Sequence, residues 1–321
     1  ANEFGTSLAI SEGFALIGAP ATNNQDGAAY MFGFDSNQLN WALVTRKNRV
    51  RSFDPSLPGS QVRFGSKVSL DIEAEFATSV LASGAHVAAI WAPGGDNGQG
   101  EVYTYENVGW EENEVLRSSS GPLAKSFGKG LAISVEPYPA PNPRLLVGDP
   151  GDAANAGRIF AYSYRNRESN RFEFDTSIRG ARASLRFTGY GLSTLLFSNS
   201  NGQMASLIGA PGYGRVYYQE RLNGEWQYPQ IISEVNAQKF GTSIAKDGNN
   251  MVVGAPEANA TGQVFLYRFQ NNRWSSLGSI SHPNTQAGDQ FGWTVINKGN
   301  WLVVGAPQHR GIGPRPGYPE G

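Results

Sequence analysis

One phrase recurs along this chain, and no other feature restricts its fold as much. Residues 240–256 read FGTSIAKDGNNMVVGAP: a short apolar run, a polar turn, a second apolar run, then Gly-Ala-Pro. The phrase opens the chain as Phe4-Gly5-Thr6-Ser7 followed by Leu16-Ile17-Gly18-Ala19-Pro20, and closes it as Phe291-Gly292-Trp293-Thr294 followed by Val303-Val304-Gly305-Ala306-Pro307. In these three copies the Phe and the Gly of Gly-Ala-Pro stand fourteen residues apart. A fixed internal period means that one supersecondary unit is built repeatedly and stacked, because a single unit cannot bury its own apolar face.

Three further copies are less regular. The second exits at Trp91-Ala92-Pro93 and offers two starts, Phe64-Gly65-Ser66 and Phe76-Ala77-Thr78-Ser79, with Asp71 to Glu75 read as part of an insertion. The third starts at Phe127-Gly128, carries a Pro-rich insertion from Pro137 to Pro143, and exits at Gly148-Asp149-Pro150. The fourth exits at Gly209-Ala210-Pro211; Thr188-Gly189 aligns with its start, so the Phe is lost. After each exit come two more β-type runs, as in Ala28–Phe34 with Trp41–Thr45, or Gln263–Phe269 with Trp274–Leu277. Four short runs separated by turn residues predict an antiparallel meander. The repeats divide at about 4–60, 61–124, 125–186, 187–238, 239–289 and 290–307, with a Gly/Pro-rich tail or linker over 308–321.

The expected fold is therefore all-β, a β-propeller of four-stranded antiparallel blades, with six or seven blades and the last visible one incomplete. Gly accounts for 40 of 321 residues and recurs at fixed places, which marks turns and not a low-complexity linker. The Phe and Trp positions read as filler between blades.

At these residues the chain resembles the FG-GAP repeats of the integrin α-subunit propeller, and still more those of bacterial-type secreted FG-GAP proteins. The resemblance covers nearly all of residues 1–307. It implies a module of recognition or adhesion at an extracellular, cell-surface or periplasmic location, with ligands meeting the loops that join strand two to three and strand four to one. Many integrin repeats carry an Asp-x-Asp-x-Asp-Gly calcium loop between strands one and two. Here those turns read SEG, ASG, SNSNG, KDGN and NKGN, with at most one carboxylate each. Calcium takes six to eight oxygen ligands, so no metal is expected there and no cofactor elsewhere. Asp96, Asp149 and Asp152, in oxygen-rich loops, are the weaker metal candidates, with Asx turns as the competing reading. The last blade lacks two strands, which a further domain or a partner chain is expected to supply.

Composition narrows the function further. The formal charge of −1 argues against a general nucleic-acid binder. No run of about 20 apolar residues is present, so no membrane-spanning helix is expected. There is no Cys, which removes disulfides, thiolate ligands and Cys nucleophiles. His86, His282 and His309 show no metal-ligand spacing along a strand, and no Gly-x-Ser-x-Gly elbow or phosphate-cradling loop occurs. The expectation is a non-catalytic chain. Two of the ligand-face loops are basic, and Arg suits carboxylate or phosphate partners. The candidate contacts are thus Arg46, Arg49, Arg51, Arg179 and Arg182, together with the aromatics Trp91 and Tyr213, for a protein or an acidic glycan. A stand-alone lectin, a filament subunit and an accessory domain of a secreted enzyme are the alternatives. Asn259-Ala260-Thr261 is a candidate N-glycosylation site.

Overall fold

The computed structural model describes residues 2–11, 13–22, 26–48, 63–72, 86–93, 99–106, 111–118, 126–135, 143–152, 156–164, 171–179 and 188–309. They form strands joined by turns, with one short 3-10 turn, in two compact units, Ala1–Met204 and Ala205–Gly321. The first unit holds three complete meanders. These are β1 (Ser7–Ser11), β2 (Phe14–Ala19), β3 (Ala28–Asp35) and β4 (Asn40–Lys47); β5 (Lys67–Ile72), β6 (His86–Ala92), β7 (Glu101–Glu106) and β8 (Glu111–Arg117); and β9 (Gly130–Val135), β10 (Pro143–Asp149), β11 (Arg158–Tyr164) and β12 (Phe172–Arg179). It ends with β13 (Thr194–Ser198). Strand β14 (Met204–Ala210) leads into the second unit, where β15 (Arg215–Leu222) pairs with it and with β16 (Glu225–Trp226) and β17 (Gln230–Ile232). A fourth complete meander follows, β18 (Ser243–Asp247), β19 (Asn250–Ala255), β20 (Gln263–Gln270) and β21 (Arg273–Ile280), and then the hairpin β22 (Thr294–Lys298) and β23 (Trp301–Gly305).

The four complete meanders share one irregularity. The third and fourth strands slip register after Met31, Thr104, Ala161 and Leu266, at matching places in each sheet. Such a bulge sharpens the local twist.

Successive sheets of the first unit pack face to face. Leu16, Ala29 and Met31 of the first sheet meet Phe64, Val68, Leu70, Ile90 and Tyr103 of the second. The other face of that second sheet, with Val87, Ala89 and Val102, meets Phe127, Leu131, Ile133 and Leu145 of the third. Phe64, Phe127 and Phe240 are fully buried, each contributing about 1.5–3 kcal/mol by leaving water.

The repeated motif has a physical explanation. Its first Gly adopts φ between +89° and +97° in all six copies, at Gly5, Gly65, Gly128, Gly191, Gly241 and Gly292. That conformation is open to Gly and strained for other residues. It lets the Gly5 N–H reach the Gly18 carbonyl at 2.9 Å, and the Gly241 N–H the Gly254 carbonyl at 3.1 Å. The second Gly is required by the next repeat. A Cβ on Gly18 would lie 1.9 Å from the Gly65 carbonyl oxygen, and one on Gly254 would lie 2.0 Å from that of Gly292. The motif therefore records how each sheet is clamped to its successor.

This geometry corrects two readings of the sequence. In the fourth repeat, Tyr190-Gly191 opens the copy, and not Thr188-Gly189. Tyr190 is buried, Gly191 has φ +89°, and its carbonyl sits 2.0 Å from where a Cβ on Gly148 would be. A longer hairpin turn hid this spacing. There Asn199 Oδ1 accepts the N–H groups of Asn201 (2.9 Å) and Gln203 (3.0 Å). In the second repeat Phe64-Gly65 is the start, and Asp71 pairs with Val87 inside β5, so the insertion begins later than expected. Phe76, Glu75 and the Pro-rich insertion 137–142 lie outside the described residues.

Candidate functional site

In the unit Ala205–Gly321, the loop from strand two to three of the fourth repeat faces the loop that enters the fifth. Together with Glu257 they line an open cavity of about 550 Å³. One wall is built by two successive turns. The Tyr213 N–H bonds the Ala210 carbonyl at 2.9 Å, and the Gly214 N–H bonds that of Pro211 at 3.2 Å. This tight path carries Tyr213 to the cavity and starts β15 at Arg215, whose guanidinium lies 5.6 Å from the centre of the Tyr213 ring. Cation–π contact keeps that Arg side chain extended over the ring. The Tyr213 hydroxyl is buried and has no hydrogen-bond partner among the described residues, an unmet demand for a donor or acceptor.

The other wall runs from Ser233 to Lys239. Two left-handed residues, Asn236 (φ +58°) and Lys239 (φ +61°), bend it, and the Phe240 N–H bonds the Ala237 carbonyl at 3.0 Å. Lys239 is thereby left exposed beside the buried Phe240. Glu234 is held in place by the Tyr267 hydroxyl, which donates to it at 2.6 Å. Burial, and then this carboxylate, push the Tyr267 pKa well above its ordinary value, so the phenol stays a donor. The cavity thus offers two cations, Arg215 and Lys239, two carboxylates, Glu234 and Glu257, and an aromatic ring. Such a set can clasp a carboxylate or sulfate while accepting hydroxyl protons, and a ring face suits a sugar or a peptide side chain.

Tyr213 is the sequence candidate that lines this cavity. The others stand elsewhere. Arg46 lies over the Tyr30 ring at 5.4 Å on the last strand of the first sheet, and Arg179 is exposed at the end of β12. Arg49, Arg51, Arg182 and Asp96 lie outside the described residues. Trp91 is not on a loop surface. It takes the place of the second motif Gly, and its ring covers Gly128 of the next repeat, where a Cβ would be 2.1 Å from Trp91 Cδ1. It packs the seam between two sheets. Asn259 is exposed in the turn Ala258–Ala260 with φ +48°.

Asp149 and Asp152 are both buried and engaged by protein groups. Asp149 Oδ1 accepts from the Ser126 hydroxyl at 2.8 Å, and that hydroxyl accepts the Gly151 N–H at 2.7 Å. Asp152 is paired with Arg158 at 2.6 Å. Burial, outweighing the Ser126 hydrogen bond, raises the Asp149 pKa. Among the described residues no group of three or more His, Asp or Glu side chains is arranged to hold a metal ion, and no helix is long and apolar enough to cross a membrane.

Arg215, Glu234, Lys239 and Glu257 were not singled out from the sequence. The signal was the position of their loops, which the repeats assign to one end of the sheets; which of those loops face each other around a cavity is set by the fold.

No protein-family model matches the chain. A curated relative, integrin alpha-2 of Bos taurus, is 27% identical over an alignment of 160 residues, which covers 43% of this chain and 13% of the integrin. Among solved structures, a candidate 6-phosphogluconolactonase from Bacteroides fragilis aligns over 94% of this chain and 76% of its own, with a TM-score of 0.56 and 16% identity. A second, from Bacteroides uniformis, aligns over 94% and 77%, with a TM-score of 0.57 and 14% identity. At such identity the likeness is one of fold, and the chain has an all-β, propeller-type fold. It also corrects the expectation of a non-catalytic chain. The solved proteins that share this architecture over nearly all of its length are described as enzymes, so the absence of a familiar catalytic motif carries no weight on this scaffold.

Proposed function

We propose that this chain is a recognition module at a cell surface or in an extracytoplasmic space, and that it takes an acidic ligand group at the Tyr213–Arg215–Lys239 cavity. The observation that carries the reading is the Arg215 guanidinium over the Tyr213 ring, with Lys239 on the facing wall, in an open, polar cavity. The ring, the two cations and the flanking carboxylates match a uronic-acid residue of a glycan, whose carboxylate and hydroxyls need both kinds of partner. The integrin similarity supports a surface role, and supports a protein loop with an Asp or Glu side chain as the alternative bearer of the same group.

The test is binding of uronate-containing oligosaccharides to the purified chain by titration calorimetry, alongside their reduced, uncharged counterparts. The reading expects binding of the acidic forms, at least tenfold weaker in Arg215→Glu and weaker again when Lys239→Glu is added, as loss of a charge-assisted contact of about 1.5–3 kcal/mol implies. Binding that ignores both substitutions sinks it.

A further inference from the structure

Three side chains from two loops meet where the fifth repeat passes to the sixth. The loop 281–290 leaves β21 and enters β22, and residues 306–309 leave β23. Asp289 is buried, and its Oδ2 accepts the Gln286 N–H at 2.6 Å and stands 2.6 Å from His309 Nδ1. The backbone fixes this approach, since the His309 N–H bonds the Ala306 carbonyl at 3.0 Å and the Gln308 N–H bonds that of Asp289 at 3.3 Å. The His282 ring lies 5.9 Å from the His309 ring, centre to centre, at 66°. His282 Nδ1 accepts the Asn284 N–H at 3.3 Å.

These bonds set opposite tautomers on the two rings. The Gln286 N–H, and then His309, hold the Asp289 carboxyl below its usual pKa, so it is ionised and can only accept. Neutral His309 next to this carboxylate therefore carries its proton on Nδ1 and has a bare Nε2. A backbone N–H can only donate, so neutral His282 has a bare Nδ1 and carries its proton on Nε2. One ring offers an acceptor and its neighbour offers a donor. Both are open to solvent, with the His309 side chain 27% accessible. A base oriented by a buried carboxylate, with a donor one ring away, is the minimum equipment for acyl transfer to water.

We propose that His309, oriented by Asp289, and His282 form a hydrolytic site for small esters and lactones. Water attacks the acyl carbon, and its proton passes to His309 Nε2 as the new C–O bond forms. The carbonyl oxygen becomes an oxyanion that takes a hydrogen bond from His282 Nε2–H. The bond to the leaving alkoxide then breaks, and the alkoxide takes the proton back from His309. An acid and an alcohol result, with no other reactant needed. Among the described residues neither ring is hydrogen-bonded to a Ser or Thr hydroxyl, which makes water the nucleophile. Alkoxides leave far more readily than amines, which sets the substrate class at esters and lactones and not amides.

The test uses the full chain with p-nitrophenyl acetate and, by pH-stat, δ-valerolactone. The wild type is expected to hydrolyse both faster than buffer. His309→Gln is expected to lower kcat/KM at least about 100-fold. Asp289→Asn leaves the shape and releases the tautomer, and is expected to lower kcat with KM unchanged. His282→Asn is expected to act the same way through loss of the donor. Circular dichroism checks each fold, and if His309→Gln is misfolded the isosteric Asp289→Asn decides. A wild type no faster than buffer, or folded variants that keep the wild-type rate, overturns the proposal.

Discussion

The second Gly of the repeated motif could serve its own strand or the next repeat, and substitution by Ala separates the two roles. Gly254 and Gly305 both stand in Gly-Ala-Pro, both lie at the end of a second strand, and neither has positive φ. Replacing either with Ala therefore introduces no backbone strain, only a methyl group. At Gly254 that methyl would be 2.0 Å from the Gly292 carbonyl oxygen and 2.3 Å from Ser243 Oγ, where ordinary contact begins at 3.4 Å. Backbone is the obstacle, so the seam between the fifth and sixth repeats must open by over 1 Å. Overpacking of this kind costs about 3 kcal/mol, and the Ser243 hydroxyl's hydrogen bond to Gly292, 2.9 Å long, is worth about 1 kcal/mol more. At Gly305 the methyl would meet the Thr294 methyl at 2.5 Å and nothing else closer than 3.8 Å, and a Thr side chain can turn away. That substitution is expected to cost less than about 1 kcal/mol. Urea unfolding followed by Trp fluorescence, with the buried Trp274 as reporter, measures both. With a slope of about 2 kcal/mol per molar urea, Gly254→Ala moves the midpoint down by about 2 M and Gly305→Ala by less than about 0.5 M. Equal losses would mean that the motif Gly serves its own strand and not the next repeat, and the clamp argument would be wrong.

Two more predictions concern charges the packing tolerates poorly. Lys67 holds the position at which Ser7 and Ser243 bond the next repeat's Gly carbonyl, at 2.8 and 2.9 Å. Burial, and then Lys129, lower the Lys67 pKa, so the unfolded chain binds the extra proton and stability rises with pH toward 10.5. Lys67→Ser is expected to raise stability by about 1 kcal/mol at pH 7, with an advantage that shrinks by pH 10 in urea titrations. Asp149 is the opposite case. Its raised pKa means that the folded chain holds the proton more tightly, so stability is gained as pH falls through that raised value. Asp149→Asn is expected to raise the melting temperature at pH 7 and to match wild type at pH 3; a lower melting temperature at pH 7 would show that the ionised carboxylate has a role the hydrogen bonds do not reveal.

How far the sequence could be read follows from what sets each feature. Strands follow from alternation and turn residues, and those are local, so the run Ala28–Phe34 falls within one residue of the observed strand Ala28–Asp35. The start of the fourth repeat was missed because Tyr190 had replaced Phe and a longer hairpin had displaced the spacing. What identifies it is a φ of +89° and a carbonyl against Gly148, and neither is written in residue types. Trp91 stands where the motif has its second Gly, and the room for its ring comes from Gly128 across the seam, which residue types along one repeat do not record. The cavity and the His282–Asp289–His309 group are assembled from separate loops by the fold, and a spacing rule applied within one strand has no access to them. Tyr213 was reached because the repeat positions its loop at the same end as those of the other copies.

The most direct test of the central claim is hydrogen–deuterium exchange with and without a bound uronate-containing oligosaccharide. The account predicts slower exchange over 211–217 and 233–240, the two walls of the cavity, and no change over 40–48 and 171–179, where Arg46 and Arg179 stand. Protection confined to those two strands, with the walls unchanged, would contradict it.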